Sequence, residues 1–354
     1  MCSIKLLIVE DEDSQLDIYK SGIERYEAAN NIKIKMNPAK DLDEAFKILD
    51  NTFDAAIIDL KLDSVGNEGN QVIEEINSHF RIPVAIVTGT PANVNSDELQ
   101  YYKVYVRSHN IQEILSDLHN VYKTGITKII GGRGTIENAM DQIFWKNILP
   151  QLDVWKSYAI TGKKTEKALL RFTITHLLEL LDNDSDTYLP EEMYIIPPIS
   201  EKLKTGSIVK KKDSDEYYIV LSPACDLVIR PNGDFKTDRI MLCETESFTA
   251  IKDEVLNGIS RPPKKLSALE RLLKNNHSDY YHWLPPINGF SGGVVNFRKS
   301  TALSKAHFDE QFELPNIQIS SHFVKDIVAR YSSYYARQGQ PDFDFKTLAE
   351  MLVN

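Results

Sequence analysis

Five polar residues stand where apolar runs stop. "IKLLIV" (Ile4 to Val9) is followed at once by Glu10 and Asp11, "FDAAIIDL" leads into Asp59, "IPVAIVTGT" delivers Thr88, and "YYKVYVRS" delivers Arg107. Three carboxylates held about 5 Å apart repel by roughly 3 kcal/mol per pair at an effective dielectric of 20, so a site that gathers them needs a compensating charge. Oxygen-only donors select a hard divalent cation. Mg²⁺ is the ion expected, held by Glu10, Asp11, Asp59 and a backbone carbonyl such as that of Lys61, with waters completing the shell. Such an ion keeps Asp59 ionised and neutralises an incoming phosphoryl group, which suits Asp59 as the nucleophile of an in-line transfer. Taken alone, an aspartate ending a buried strand also serves as a cap or turn residue. Four strand ends carrying polar groups together favour a site.

The elements that would position these residues are legible as alternating periods. In "SQLDIYKSGIERYEAA" the residues Leu16, Tyr19, Ile23 and Tyr26 recur at helical spacing, "NIKIKMNPA" alternates as a strand does, and "DLDEAFKILDN", "NQVIEEINSHF" and "NIQEILSDLHNVY" are helical. The rhythm predicts a parallel α/β sheet of five strands alternating with five helices, one of them short and near "NVNSDELQYY". In such an open sheet, ligands bind at the carboxyl ends of the strands, where strand order reverses. The polar residues stand at those ends.

"LLIVEDEDS", "AAIIDLKL", "VAIVTGT" and the end of "VYVRS" resemble, in order and spacing, the receiver domain of two-component response regulators, over residues 3 to about 121. The resemblance implies a flavodoxin-like, doubly wound five-stranded parallel sheet. It implies that Glu10 and Asp11 bind Mg²⁺, that Asp59 accepts phosphate from a histidine kinase or phosphotransfer protein, and that the Thr88 hydroxyl moves to the phosphate. Gly69 fits the glycine before the third helix, although "DSVGNEGN" is a longer loop than usual. Two departures stand out. The Lys-Pro that closes the fifth strand in the family is Arg107-Ser108, which keeps a cation for the phosphoryl oxygens but not the proline turn. Val104 occupies the position of the switch aromatic, and Tyr105 faces the other side of the strand. A pseudo-receiver acting by protein contact alone is the alternative.

At 354 residues the chain is expected to form about two domains, and the net charge of −10 is unevenly placed. Residues 1–120 hold 11 Lys/Arg against 21 Asp/Glu, whereas the remainder hold 30 of each. An acidic first domain on a neutral remainder argues against broad nucleic-acid affinity, the basic stripe from Lys202 to Lys212 being the local exception. Cys2, Cys225 and Cys243 have no zinc spacing and suit a reducing compartment. No apolar run approaches membrane-spanning length and the amino terminus does not read as a leader, so a cytoplasmic protein with no membrane partner is expected.

The organisation predicted is a receiver over 1–123, a helical connector over 124–190 and a β-rich effector or interaction domain over 191–354. The glycine cluster of "TGITKIIGGRGTIENAM" reads as a linker into a helix beginning near Thr135, because it lacks the Lys-Ser/Thr ending and spacing of a phosphate loop. Residues 136–183 read as two long helices broken near "ITGKK", with Ile143, Phe144, Ile148, Leu149 and Trp155 on the first and Leu169, Leu170, Phe172, Leu177, Leu178 and Leu181 on the second. They form a connector or a homodimerising hairpin.

Beyond Pro190, "GSIVKKKDSDEYYIVLSPACDLVI" reads as a hairpin, "DRIMLCE" as a third strand, and "YYHWLPP" and "GGVVNFR" as a fourth and fifth. A small SH3-like β-barrel within an α+β domain is expected, capped by helices at Lys265–Asn275 and Ser321–Gln338. Cys225, Asp226 and His282 are the residue types of a cysteine-hydrolase triad, or else a strand-end cysteine, a turn aspartate and a histidine in an aromatic cluster. Phe323, Ile327, Tyr331 and Tyr334 or Tyr335 read as a core-facing helical stripe with Arg330 and Arg337 at its edge. The function expected is phosphorylation-dependent signalling through an output module with no recognisable helix-turn-helix, cyclase or methylesterase. No enzymatic activity is expected beyond phosphoryl acceptance and its hydrolysis. Receivers joined to such modules resemble components of bacterial stress or antiphage operons near a histidine-kinase-type ATPase. A receiver-gated hydrolase and a DNA-binding regulator are the alternatives.

Overall fold

The computed structural model describes residues 3–62, 68–89, 103–132, 134–179, 187–200, 202–231, 233–337 and 342–353. The chain forms two compact units, Met1–Ser185 and Asp186–Asn354.

Strands β1 (Ser3–Val9), β2 (Lys33–Ala39), β3 (Ala55–Ile58), β4 (Val84–Thr88) and β5 (Lys103–Val106) of the first unit form a five-stranded sheet in the order β2-β1-β3-β4-β5. Every pairing is parallel, with Leu6 opposite Ala55, Ala56 opposite Val84 and Thr88 opposite Val106. Helices α1 (Asp13–Asn30), α2 (Leu42–Ile48), α3 (Glu68–His79) and α4 (Ile111–Lys123) cover it. β3, β4 and the second half of β1 are continuous apolar runs because both faces are buried, whereas the edge strands β2 and β5 keep exposed positions. Leu6, Ile8, Ile57 and Val87 pack with Tyr19 and Ile23 of α1 and Ile114 and Leu118 of α4. Leu7, Val9, Ile58 and Ile86 pack on the other face with Ala45 of α2 and Val72, Ile73 and Ile76 of α3. Each buried Ile or Leu contributes about 1.5–3 kcal/mol, and the register holds because a slip by one residue would exchange the two faces. The short helix expected near "NVNSDELQYY" and most of the long loop before Gly69 lie outside the described residues.

The first unit continues through α5 (Ile126–Ile130), α6 (Thr135–Ile143), a π turn at Phe144–Ile148, a 3-10 turn at Leu149–Gln151, α7 (Leu152–Ile160) and α8 (Glu166–Glu179). α6 begins at the residue its spacing predicts. A Cβ at Gly132 would lie 2.2 Å from the Asn51 Cβ, so the glycine cluster is a close-packed turn against the loop before β3. An ion pair of 2.6 Å between Arg81 and Glu137 ties α6 to the segment entering β4. The first connector helix is interrupted rather than continuous. Pro150 has no N–H to donate and crowds the carbonyl four residues earlier, and the chain passes it in π and 3-10 turns. Leu181 lies outside the described residues.

The second unit is built on an antiparallel sheet of seven strands, ordered β10-β11-β9-β8-β7-β12-β6. These are β6 (Tyr194–Ile195), β7 (Ser207–Lys210), β8 (Tyr217–Val220), β9 (Ile240–Glu246), β10 (Tyr281–Leu284), β11 (Gly293–Leu303) and β12 (Ile317–Ile319). The five strands expected are present, but β12 and β6 extend the sheet beyond the five-stranded SH3-like barrel predicted. Two or three residues are too few to show alternation in a sequence. The Tyr194 hydroxyl of edge strand β6 donates to the carbonyl of Pro285, just past the other edge strand, at 2.8 Å, so the sheet is strongly curled.

One face packs Ile208, Ile219, Val295 and Phe297 against Ile327 of α12 (Ser321–Ala336), with Phe323, Tyr331 and Tyr334 of the predicted stripe alongside. The other packs Val209, Val220 and Leu242 against Phe308 of α11 (Lys305–Gln311). α9 (Phe248–Leu256) and α10 (Pro262–Leu273) bury Ile251 and Leu272 beside β10, and α13 (Phe345–Val353) buries no side chain. Two lysines of the basic stripe are paired with acids. Lys210 pairs with Asp215 at 2.9 Å, Lys211 with Glu216 at 2.8 Å, and Lys212 donates to the Asp309 carbonyl at 2.7 Å. Among the described residues, no helix is long and apolar enough to cross a membrane.

Candidate functional site

The strand order reverses between β1 and β3: the chain steps outward from β1 to β2, then returns to place β3 on the other side of β1. A crevice therefore opens at the carboxyl ends of these two strands. Glu10 follows β1 and its N–H donates to the Ala39 carbonyl at 3.0 Å, while the Asp59 N–H donates to the Val9 carbonyl at 2.9 Å. The sheet's own hydrogen bonds thus fix both carboxylates at the crevice. Glu10 and Asp59 are buried, Asp11 is exposed, and the three offer oxygens all within 4.8 Å of one another.

Gly69 permits this arrangement. At the start of α3 its N–H donates to the Leu60 carbonyl at 3.1 Å, and a Cβ there would lie 2.1 Å from the Asp59 carbonyl oxygen. Only glycine lets the helix approach the strand end so closely. The Lys61 N–H reaches Asp59 Oδ1 at 3.4 Å, which puts the backbone bearing the predicted carbonyl ligand beside the carboxylate. Thr88 is fully buried at the end of β4, and its carbonyl accepts from the Arg107 N–H at 3.2 Å.

Arg107 dominates the electrostatics. Its guanidinium pairs with Asp59, with Glu10 at 3.4 Å and with Glu12 at 2.6 Å. Burial works against its charge, but the bonds to Glu12 and Asp59 more than offset this and raise its pKa. Glu10 is pushed up to about 7, chiefly by burial and further by the charges of Asp59 and Asp11; the N–H of Glu12, 3.2 Å away, and Arg107 act in the opposite sense. Glu10 Oε2 is buried without a hydrogen-bond partner. An orphaned buried carboxylate oxygen within a hard all-oxygen donor set fits a cation such as Mg²⁺.

At the departures from the receiver pattern, the turn after β5 closes without proline through the His109 N–H on the Val106 carbonyl at 2.8 Å. Tyr105 faces the α1 and α4 core and its hydroxyl donates to Asp117 at 2.5 Å, whereas Val104 packs on the opposite face. The sequence reading missed Glu12 as a partner of Arg107. The acid run "EDED" was its signal, carrying one more carboxylate than a metal pair needs.

The second unit does not assemble the cysteine-hydrolase triad. Cys225 is exposed, with its sulfur 3.7 Å from Asp226 Oδ1, and neither residue shares a hydrogen bond or ion pair with His282. His282 is buried in β10, and the carboxylate beside it is Asp326 of α12, 3.7 Å from Nδ1. Cys243 is buried and its thiol is pushed up to about 12, chiefly by burial, which makes it inert.

Comparison with family models and with curated proteins gives no match. Among solved structures, the first third of the chain is similar to response regulator receiver domains. One from Methylobacillus flagellatus is 16% identical over 32% of this chain and 98% of its own, with a TM-score of 0.27. A Francisella receiver domain is 21% identical over 34% of this chain and 98% of its own, with a TM-score of 0.28. The Thermotoga maritima response regulator TrrA, solved in complex with Mg²⁺ and BeF, is 18% identical over 33% of this chain and 98% of its own, with a TM-score of 0.27.

Proposed function

We propose that the first unit is a phosphoryl-accepting switch of the response-regulator kind, with Asp59 as acceptor. The observation that carries this reading is the pair of buried carboxylates at the strand crossover, Glu10 and Asp59, bridged by one guanidinium and leaving Glu10 Oε2 unsatisfied. A site organised only for stability would pair that oxygen.

In the reaction, an Asp59 oxygen attacks phosphorus of a phosphohistidine on a kinase or phosphotransfer protein. The P–O bond forms as the P–N bond breaks, the bonding pair returns to the imidazole nitrogen, and an acyl phosphate results. Glu10, Asp11, Asp59 and the Lys61 carbonyl are the residues to hold Mg²⁺, which when bound supplies positive charge opposite the phosphoryl oxygens. Arg107 keeps Asp59 oriented and offers its N–H groups to the phosphoryl oxygens, at the expense of its bond to Glu12. The Thr88 hydroxyl, at the end of the neighbouring strand, donates to a phosphoryl oxygen. The added charge competes for Arg107 and Thr88, and the helices after β5 carry the resulting shift onward.

Incubation of the full chain with Mg²⁺ and acetyl phosphate or beryllofluoride tests this. One added phosphoryl group by intact mass with acetyl phosphate, and a thermal shift with either reagent, are expected for wild type and not for Asp59→Asn. A second reading, a contact-only adaptor, is favoured by one feature: Arg107 already neutralises Asp59 and reaches Glu12 without any phosphate. If neither mass nor melting depends on Asp59, the adaptor stands.

A further inference from the structure

In the second unit a cavity of about 330 Å³ lies beside edge strand β10, closed by the residues entering β6 and by the first half of α12. Its walls include Tyr188, Met193, Trp283 and Phe323, with the rings of Tyr188 and Phe323 edge to face at 5.5 Å. Two groups in it are polar and unspent. His282 is 4% exposed and its Nδ1 has no hydrogen-bond partner. Asp326 has no cationic side chain against it among the described residues; its closest charged-type neighbour is the same Nδ1, at 3.7 Å.

His282 is held neutral, its pKa driven down to about 3 by burial and then by the charge of Arg330, so it presents a lone pair or a single N–H rather than a cation. Of the polar groups nearby, Arg330 Nε is also buried without a partner, while the rest of the groups that could compete are engaged. Asn275 Oδ1 accepts the Trp283 N–H at 2.6 Å, and the Arg330 guanidinium donates to the carbonyls of Ser278 and Tyr281 at 3.2 and 3.0 Å. A buried ring nitrogen left unpaired is destabilising, and a native fold keeps such a group where something else satisfies it.

Aromatic walls, one solvent-accessible carboxylate with no cationic side chain against it and one unpaired buried ring nitrogen define the chemistry of an occupant. We propose that this cavity binds a small organic cation, a primary amine or amidine carried on a single aromatic ring. Its ring packs among Tyr188, Trp283 and Phe323, and its N–H groups donate to Asp326 and, with the imidazole proton on Nε2, to His282 Nδ1. The π faces of the walls add attraction for the positive charge. Nothing in this assignment depends on the phosphoryl chemistry of the first unit.

Calorimetric titration of the full chain with phenethylamine and with benzamidine tests it, using phenylpropionate as the anionic counterpart. Saturable one-site binding of at least one cation, with none of phenylpropionate, is expected. Asp326→Asn, a change at a side chain that is 64% exposed and therefore compatible with folding, should weaken that binding at least about tenfold. His282→Phe, which keeps a ring in place, should weaken it as well, while Cys225→Ala should leave it unchanged. Absence of saturable binding by both cations, equal binding of phenylpropionate, or affinity that Asp326→Asn does not alter would overturn the assignment.

Discussion

Arg107 is where the family pattern and this chain part. A lysine offers a single point charge, whereas the guanidinium spans Asp59, Glu10 and Glu12 at once. Removing it leaves two buried carboxylates side by side with no counter-charge. Arg107→Ala should therefore lower stability in EDTA by about 1–3 kcal/mol, the low end for a broken pair because the side chain is partly exposed. Mg²⁺ should restore more stability to the variant than it adds to wild type. Thermal melts with and without the ion check this, and equal Mg²⁺ effects on both proteins would contradict it. His282 gives a second prediction at this scale. Its folded pKa is depressed to about 3, so between that pH and its ordinary value near 6.5 the unfolded chain binds a proton that the folded one does not. Stability is fully present above 6.5 and falls as pH drops through this window, by up to about 1.4 kcal/mol per pH unit from this residue. Urea melts at pH 7 and 5 should show a steeper loss for wild type than for His282→Phe. Residues of this kind differ in how far the sequence exposes them. Asp59, Glu10 and Thr88 are legible because each ends an apolar strand run, while the Arg107–Glu12 bond joins positions 95 apart and Asp326 reaches His282 across two elements, contacts that no local pattern encodes.

Elements were legible in proportion to their length and burial. The four described helices and five strands of the sheet declare themselves by period, since one or both faces must be apolar over many residues. β6 and β12 pair through only two or three residues each, and the interruption at Phe144–Gln151 shows in the sequence only as Pro150, because the helical apolar period continues across it. Where an element must approach another backbone, a single residue decides. Gly69→Ala places a Cβ 2.1 Å from the Asp59 carbonyl oxygen, a contact with main chain that no side-chain rotation relieves. It should cost about 2 kcal/mol or more and displace the acceptor, so phosphorylation with acetyl phosphate should fall further than the melting temperature alone would suggest. Gly125→Ala, at a positive φ but with nothing within 4 Å of the new Cβ, controls for backbone strain without the clash. Equal phosphorylation in both variants would remove the positioning role.

At the scale of the whole molecule, the unresolved balance lies in the helices that follow the receiver. α7 and α8 bury no side chain completely, and they and the preceding turn expose Trp145, Val154, Ile160 and Leu170, the last three-fifths and Ile160 86% exposed. α8 packs on α6, yet that contact leaves these side chains in water, and each exposed Leu or Ile forgoes about 1.5–3 kcal/mol of burial. A second copy of the same hairpin would supply a matching apolar face, and a homodimer through residues 136–183 is the prediction that this exposure argues for. In such a dimer phosphorylation would add charge to a region where residues 1–120 already carry an excess of 10 acids, and repulsion between two such regions would grow with each phosphoryl group. Light scattering across a concentration series should show a dimer for wild type and a monomer for Ile160→Glu with Leu170→Glu, with Asp59 phosphorylated to the same extent in both. The dimer of the phosphorylated protein should weaken at low ionic strength relative to high. A wild-type chain that stays monomeric at every concentration would defeat the dimer, and a dimer indifferent to both salt and phosphate would defeat the electrostatic coupling while leaving the interface standing.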